Sequence, residues 1–218
     1  MKKILSFLIF AVVGILLSQV PFTYLVGANA RFTMFDFFGP IVGSFLGTLP
    51  GAITVLLVQI VNWAIHGFSS QPAAIIRFFP VVAATLYFAR PSKWLLAIPG
   101  VAIIAFLIHP EGRQATVFAL YWLIPFAMHR LSHRFVFAKA LAATFIAHSV
   151  GGALWIWVLN MKAALWMSLL PVVWKERGLM ALGITLSYLA LGKLLQISIV
   201  KGWVPQNLFG PRSSVNVK

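Results

Sequence analysis

Residues 135–160 read FVFAKALAATFIAHSVGGALWIWVLN, and Lys139 is the single charged side chain among them. A helix needs about 20 residues to cross the hydrocarbon of a bilayer, so this stretch is long enough. Backbone groups in lipid must be hydrogen-bonded within the protein, which leaves helices or a closed barrel. The strict in–out alternation of barrel strands is absent here. The stretch therefore reads as a transmembrane helix, and an all-α, polytopic transmembrane bundle is the fold class it sets.

Working outward, seven further apolar segments can be drawn: Ile4–Leu25, Thr33–Thr48, Ala52–His66, Ala73–Ala89, Trp94–His109, Ala115–Leu131 and Leu179–Val200. Pro-Gly, Pro-Ser and His-Pro-Glu-Gly sequences mark breaks between several of them. Residues 161–177 are amphipathic and interrupted by Pro171, which suits a segment lying at the interface. The organisation expected is one helical domain over residues 1–200, followed by a polar cytoplasmic tail, 201–218. Ala28-Asn29-Ala30 has the small-residue pattern of a signal cleavage site. The apolar run before it outlasts a signal h-region, so the first helix is expected to be retained.

Composition agrees with this fold class. Hydrophobic residues make up 61% of the chain and charged residues 9%, against about 25% charged in a soluble domain. There is no cysteine, which excludes disulfides, thiolate metal sites and cysteine catalysis. The formal charge is +14, with Asp36, Glu111 and Glu176 as the acids. Without a soluble domain to present it, this charge does not indicate nucleic-acid binding. It indicates cytoplasmic loops beside anionic lipid.

With the N-terminus inside, Lys2, Lys3, Arg90, Lys93, Arg130, Arg134, Lys139, Lys193, Lys201, Arg212 and Lys218 fall on the cytoplasmic side. Arg31, Arg113, Lys162, Lys175 and Arg177 fall outside, and Arg77 lies in a helix. The positive-inside rule favours this arrangement, with both termini cytoplasmic in a multipass protein of the cytoplasmic membrane. A kink rather than a break at Pro50 would give seven helices and an external N-terminus, which fits the charges nearly as well.

Polar side chains inside spans are costly and mark candidate sites. Gln59, Asn62 and His66 share one face of the third helix at i, i+3 and i+7. Arg77 opens the fourth helix, and a guanidinium there needs an anionic partner: Asp36, Glu176 or a ligand. His148 and Trp155 share a face of the seventh helix with Gly151 and Gly152, and Asn160 ends it. Asn62, His66, Arg77, His148, Trp155 and Asn160 form the candidate binding set. Each also has a structural reading: interface aromatics for the tryptophans, interhelical hydrogen bonds for the rest. His129 and His133 stand at metal-ligand spacing, but Arg130 and Arg134 beside them disfavour a cation, and no metal or cofactor is expected.

Phe38-Gly39-Pro40-Ile41-Val42-Gly43-Ser44-Phe45-Leu46-Gly47 resembles the Gly-Pro-x-x-Gly-x-x-x-Gly helix of substrate-binding (S) components of energy-coupling-factor vitamin transporters. The Gln71-Pro72 loop with its following span, and Ala153-Leu154-Trp155 with Leu169-Leu170-Pro171 before the last span, are also similar. The resemblance covers residues 1–90 and 135–200 and leaves 94–131 as an inserted hairpin, so that six family helices become eight. It implies capture of a vitamin or precursor from outside. A transmembrane coupling subunit and ATPases, in separate chains, would drive uptake. This chain has no Gly-x-x-x-x-Gly-Lys-Ser/Thr phosphate loop of its own. The Ala-x-x-x-Ala coupling contact of the family finds its nearest match at Gly14 and Ser18, with Ala11 one turn earlier. The candidate pocket would suit a planar, partly anionic compound. Two other classes compete: an accessory membrane protein whose polar residues only join helices, and an intramembrane enzyme acting on lipids. Three scattered acids make a di-metal enzyme site a poor fit.

Overall fold

The computed structural model describes residues 2–24 and 31–203. The expected first-helix end at Leu25, the Ala28-Asn29-Ala30 sequence and the tail from 204 to 218 lie outside the described residues.

Helix α1 (Lys2–Ser18) stops earlier than the apolar run suggests. Pro21 cannot donate to a helix and biases Val20 towards extended backbone. The chain turns into β1 (Pro21–Tyr24), which pairs antiparallel with β2 (Arg31–Thr33). The following pair, α2 (Phe35–Leu46) and α3 (Thr48–Ile65), is divided at Gly47, whose φ of 98° is a conformation that glycine adopts at low cost. The break expected at Leu49-Pro50-Gly51 is therefore corrected to Gly47. Pro50 sits in the first turn of α3, where its missing N–H would have no intrahelical partner anyway.

The two helices fold back on each other, because a Cβ built on Gly51 would lie 2.3 Å from the Gly43 Cα. In one continuous helix those residues would stand about 12 Å apart. A single helix kinked at Pro50 does not form. The Gly39, Gly43 and Gly51 positions let backbones approach closely. A Cβ on Gly39 would be 2.6 Å from Val81 Cγ1, and one on Gly43 would be 2.8 Å from Ala89 Cβ.

Next come α4 (Pro72–Ile76) and α5 (Phe78–Ala89), interrupted at Arg77. Helix α6 (Ala97–Ile108) leads through α7 (Pro110–Gln114) to α8 (Thr116–Ala119) and α9 (Ile124–Met128). The long helices α10 (Val136–Leu159) and α11 (Ala163–Val200) complete the fold. Residues 161–177 do not stand apart as a separate, Pro-interrupted segment. Residues 163–177 are the first half of α11, which runs on through Pro171. A stripe at helical spacing, Trp166, Leu169, Val173, Arg177, Met180 and Ile184, is buried without interruption along it.

Among the described residues, four segments are long and apolar enough to cross a membrane: Thr48–Ile65, Pro72–Ala89, Val136–Leu159 and Ala163–Val200. Four shorter apolar helical segments accompany them: Ile4–Ser18, Phe35–Leu46, Lys93–Ile108 and Thr116–Met128. Ile4, Leu8, Val12 and Leu16 on α1, and Leu182, Leu186 and Leu189 on α11, point away from the bundle and are exposed. Apolar stripes of this extent suit lipid rather than water. The molecule is an all-α helical bundle with the surface of a membrane protein.

One core joins α1, α2, α3, α5, α10 and α11 around Phe10, Phe45, Tyr87 and Phe88. A second joins the 94–131 region to α10 and α11 around Phe106, Phe118, Trp122, Trp155 and Trp166. Gly14 and Ser18, the expected coupling contact, are buried. A Cβ on Gly14 would lie 3.0 Å from Val58, and the Ser18 hydroxyl donates to Asn62 Oδ1 at 3.0 Å. That contact is occupied by the protein's own α3.

Glu111 ties α7 to the start of α11. Its Oε2 accepts the Ala163 N–H at 2.8 Å and its Oε1 pairs with Lys162 Nζ at 3.0 Å. The amide N–H and the ammonium together hold the carboxyl below its ordinary value of 4.5. A depressed folded pKa stabilises the fold above the unfolded value, and the contribution is lost as the pH falls through the folded one. Glu111→Gln should therefore lower the melting temperature in detergent modestly at neutral pH. The difference from wild type should disappear at pH values well under 4.5.

Candidate functional site

The end of the bundle where α1 and α3 finish, and where α2, α5 and α11 begin, contains two adjoining cavities. The inner one offers ≈ 140 Å³ to the centre of a water-sized sphere. One water needs about 10–15 Å³ on that measure, so the space suits a small organic molecule. Its walls come from β2, α2, α3, α5, α8, α10 and α11. The outer one, ≈ 390 Å³ on the same measure, lies among α1, β1, β2, α3 and α4. Asp36, Gln59 and Arg77 line both cavities and form the partition between them.

The candidate residues divide between the two spaces. Asn62 and His66 line the outer cavity. Asn62 Oδ1 accepts from Ser18 Oγ at 3.0 Å and from Gln19 Nε2 at 2.9 Å, which fastens α3 to α1. His66 ends α3 and donates from Nδ1 to the Asn62 carbonyl at 2.8 Å. His148 and Trp155 line the inner cavity, facing it from α10 with Gly151 and Gly152. Asn160 lines neither. It is exposed in the left-handed conformation, φ 48°, where it closes α10.

Arg77 stands at the interruption between α4 and α5. Pro80 has no N–H to offer the Ile76 carbonyl, and the next carbonyl, that of Arg77, accepts from Gln59 Nε2 at 3.1 Å. The Arg77 guanidinium donates from Nη2 to the carbonyl of Arg31. Asp36 is held by Thr33, whose backbone N–H donates to Oδ2 at 2.7 Å. The sequence leaves Asp36, Glu176 or a ligand as partner for Arg77. Glu176 in fact pairs with Arg177, at 3.4 Å.

Arg177 is the residue that sequence reasoning missed. It was grouped with exterior loop charges, yet it is only 6% exposed and lines the inner cavity from α11. Nη1 reaches Thr144 Oγ1 and Nη2 reaches Glu176 Oε2, both at a long 3.4 Å, and the guanidinium lies 5.0 Å from the centre of the Phe32 ring. Its Nε–H is buried with no acceptor among the described residues. The available signal was its register: it is the one charged position in the buried stripe of α11.

His148 is oriented from the supposed insertion. The Trp122 indole N–H donates to His148 Nδ1 at 3.0 Å. An indole can only donate, so Nδ1 must accept, and in the neutral ring the proton resides on Nε2. Phe118, also from the 94–131 region, packs at a tilt beside His148 at 5.4 Å and edge-on to Trp166 at 4.8 Å. The region contributes Phe118 to the cavity wall.

No family model, curated protein or solved structure matches the chain. The chemistry of the site therefore rests on its own geometry. An inner chamber walled by Phe32, Phe118, Trp155 and Trp166, with charged groups at one side, is suited to holding a small aromatic molecule by stacking and hydrogen bonds. Arginine and carboxylate lie together in it without a metal-binding cluster among the described residues.

Proposed function

We propose that the protein is a membrane-embedded binding subunit for a small molecule, serving uptake in the manner of an energy-coupling-factor S component. The observation that carries this reading is the inner cavity: a chamber inside an apolar bundle, aromatic on its walls and lined by a buried, under-bonded arginine. Buried ionisable groups among apolar helices are expensive to hold, and a binding role accounts for their cost. The cavities occupy one end of the bundle, and Arg90, Lys93, Arg130, Arg134 and Lys193 come from the other. The positive-inside rule then turns the cavities outward and the basic end, with both termini, towards the cytoplasm. In this reading a coupling subunit and ATPases in separate chains supply the energy, and a vitamin or a precursor is the cargo.

Gly151 gives a direct test. It lines the inner cavity, and a Cβ there would meet nothing closer than Pro80 Cγ at 3.6 Å. Gly151→Leu should fill the chamber without disturbing the backbone, and replacing a helical glycine should stabilise by up to about 1 kcal/mol. Native mass spectrometry of gently purified wild type is expected to show a retained small molecule that is missing from Gly151→Leu, whose melting temperature should be unchanged or higher. A wild-type protein that carries nothing, and binds nothing from a panel of vitamins and precursors, would sink the proposal.

One observation favours a second reading, an accessory protein that does not engage a coupling subunit: Gly14 and Ser18 are packed inside against α3. Affinity purification from the native membrane separates the two, since only the transport reading expects ATPase chains to come with the protein.

A further inference from the structure

Resting on the binding role just proposed, we infer that the inner cavity takes a small planar aromatic molecule of no net charge, carrying an oxygen or nitrogen acceptor for the guanidinium of Arg177. Three separate observations lead there.

The first is the balance of charge. Among the described residues lining the inner cavity, two guanidinium groups, Arg77 and Arg177, face two carboxyl groups, Asp36 and Glu176. Arg31 belongs to the outer cavity alone. A balanced wall in an apolar bundle does not attract a free ion, because an added anion would leave one uncompensated charge away from water. This alters the expectation of a partly anionic ligand, which left Arg177 and its pairing with Glu176 out of the count. An internally balanced zwitterion also satisfies the condition.

The second is unmet hydrogen-bonding capacity. The Arg177 guanidinium has five N–H donors. It makes two contacts at 3.4 Å, and its Nε–H has no acceptor among the described residues. A buried donor in that state is costly, and a ligand acceptor drawing the guanidinium a short way towards the cavity would relieve it. Thr144 lies alongside as a second polar group.

The third is wall chemistry. Phe32, Phe118, Trp155 and Trp166 approach from β2, α8, α10 and α11, and Gly151 leaves open space beside them, its Cβ position no closer than 3.6 Å to Pro80 Cγ, whereas the Gly152 position is filled by Trp122. Rings set around such a gap favour a planar aromatic guest over a branched aliphatic one.

Two measurements test this on the full-length protein in mild detergent. The first identifies the molecule extracted from wild type and missing from Gly151→Leu, which should be aromatic and carry no net charge at neutral pH. The second measures binding of matched pairs, benzamide with benzoate and indole-3-carboxamide with indole-3-carboxylate. At least one amide should bind at least tenfold tighter than its carboxylate twin, and Arg177→Met should weaken that amide by tenfold or more while still unfolding in a single thermal transition. A retained anion, tighter binding by the carboxylates, or indifference to Arg177→Met would overturn the inference and leave the binding role standing. A wild type that retains nothing and binds neither member of either pair would end the binding role as well.

Discussion

Gly51→Ala is expected to cost the fold about 3 kcal/mol or more, at the upper end of what over-packing does. The new Cβ would sit 2.3 Å from the Gly43 Cα and 2.6 Å from its nitrogen. Both are backbone atoms within α2, so no side chain can rotate out of the way. Relief requires α2 and α3 to separate, and α2 is itself pressed against α5 at Gly39 and Gly43. Gly178→Ala in α11 is the matched control: nothing lies within 4 Å of its Cβ position. There the change should stabilise by a few tenths to about 1 kcal/mol through helix propensity. Thermal unfolding of both variants in the same detergent decides the matter. Equal melting temperatures would mean that the helix hairpin does not close as described.

The second large effect is an asymmetry between Arg177 and Glu176. Their side chains are 7% and 17% exposed, so neither is well hydrated. Removing the acid strands a buried guanidinium, and Glu176→Gln should destabilise by about 2–3 kcal/mol. Arg177→Met fills a similar volume with an apolar chain, removes the orphaned Nε–H, and leaves the carboxylate as the more exposed partner. That carboxylate is left unpaired in turn, so Arg177→Met should also destabilise, but by less than Glu176→Gln does. Denaturation of the two variants side by side reads the difference directly. A larger loss in Arg177→Met than in Glu176→Gln would show that the arginine mainly supports the fold.

Much of the fold is legible in the sequence because lipid leaves few options. Eight apolar segments between Gly and Pro breaks are matched by eight apolar helical segments among the described residues. The errors sit where one residue has two physical meanings. Pro50 reads as a break, yet in the first turn of a helix it loses nothing, and the actual break needs the positive φ of Gly47. Pro171 reads as an interruption, yet a long helix tolerates the loss of one hydrogen bond when its buried stripe continues on both sides. Val20-Pro21 ends α1 inside an apolar run because local backbone restriction outweighs hydropathy.

The site was legible by face and not by depth. Gln59, Asn62 and His66 do share a wall, and His148 shares one with Trp155. Dividing those walls into two chambers depends on tertiary contacts such as Arg77 with the Arg31 carbonyl. Arg177 was hidden by its neighbours Trp174, Lys175 and Glu176, which resemble an exposed loop until the register of α11 is known. Trp122 and Phe118 lay in a hairpin that the family resemblance treated as an addition, so nothing pointed from them to His148.

Helix α11, at 38 residues, is about 57 Å long, nearly twice the ~30 Å of hydrocarbon in an ordinary bilayer. Such a rod must lean, project beyond the lipid or stretch the membrane around one flank of the protein. Glu176 and Arg177 are carried on that same rod, so its tilt sets where they stand against α2 and α10. Bilayer thickness thereby becomes a control variable: lipids with longer or shorter acyl chains would retune the inner chamber without touching any residue that lines it.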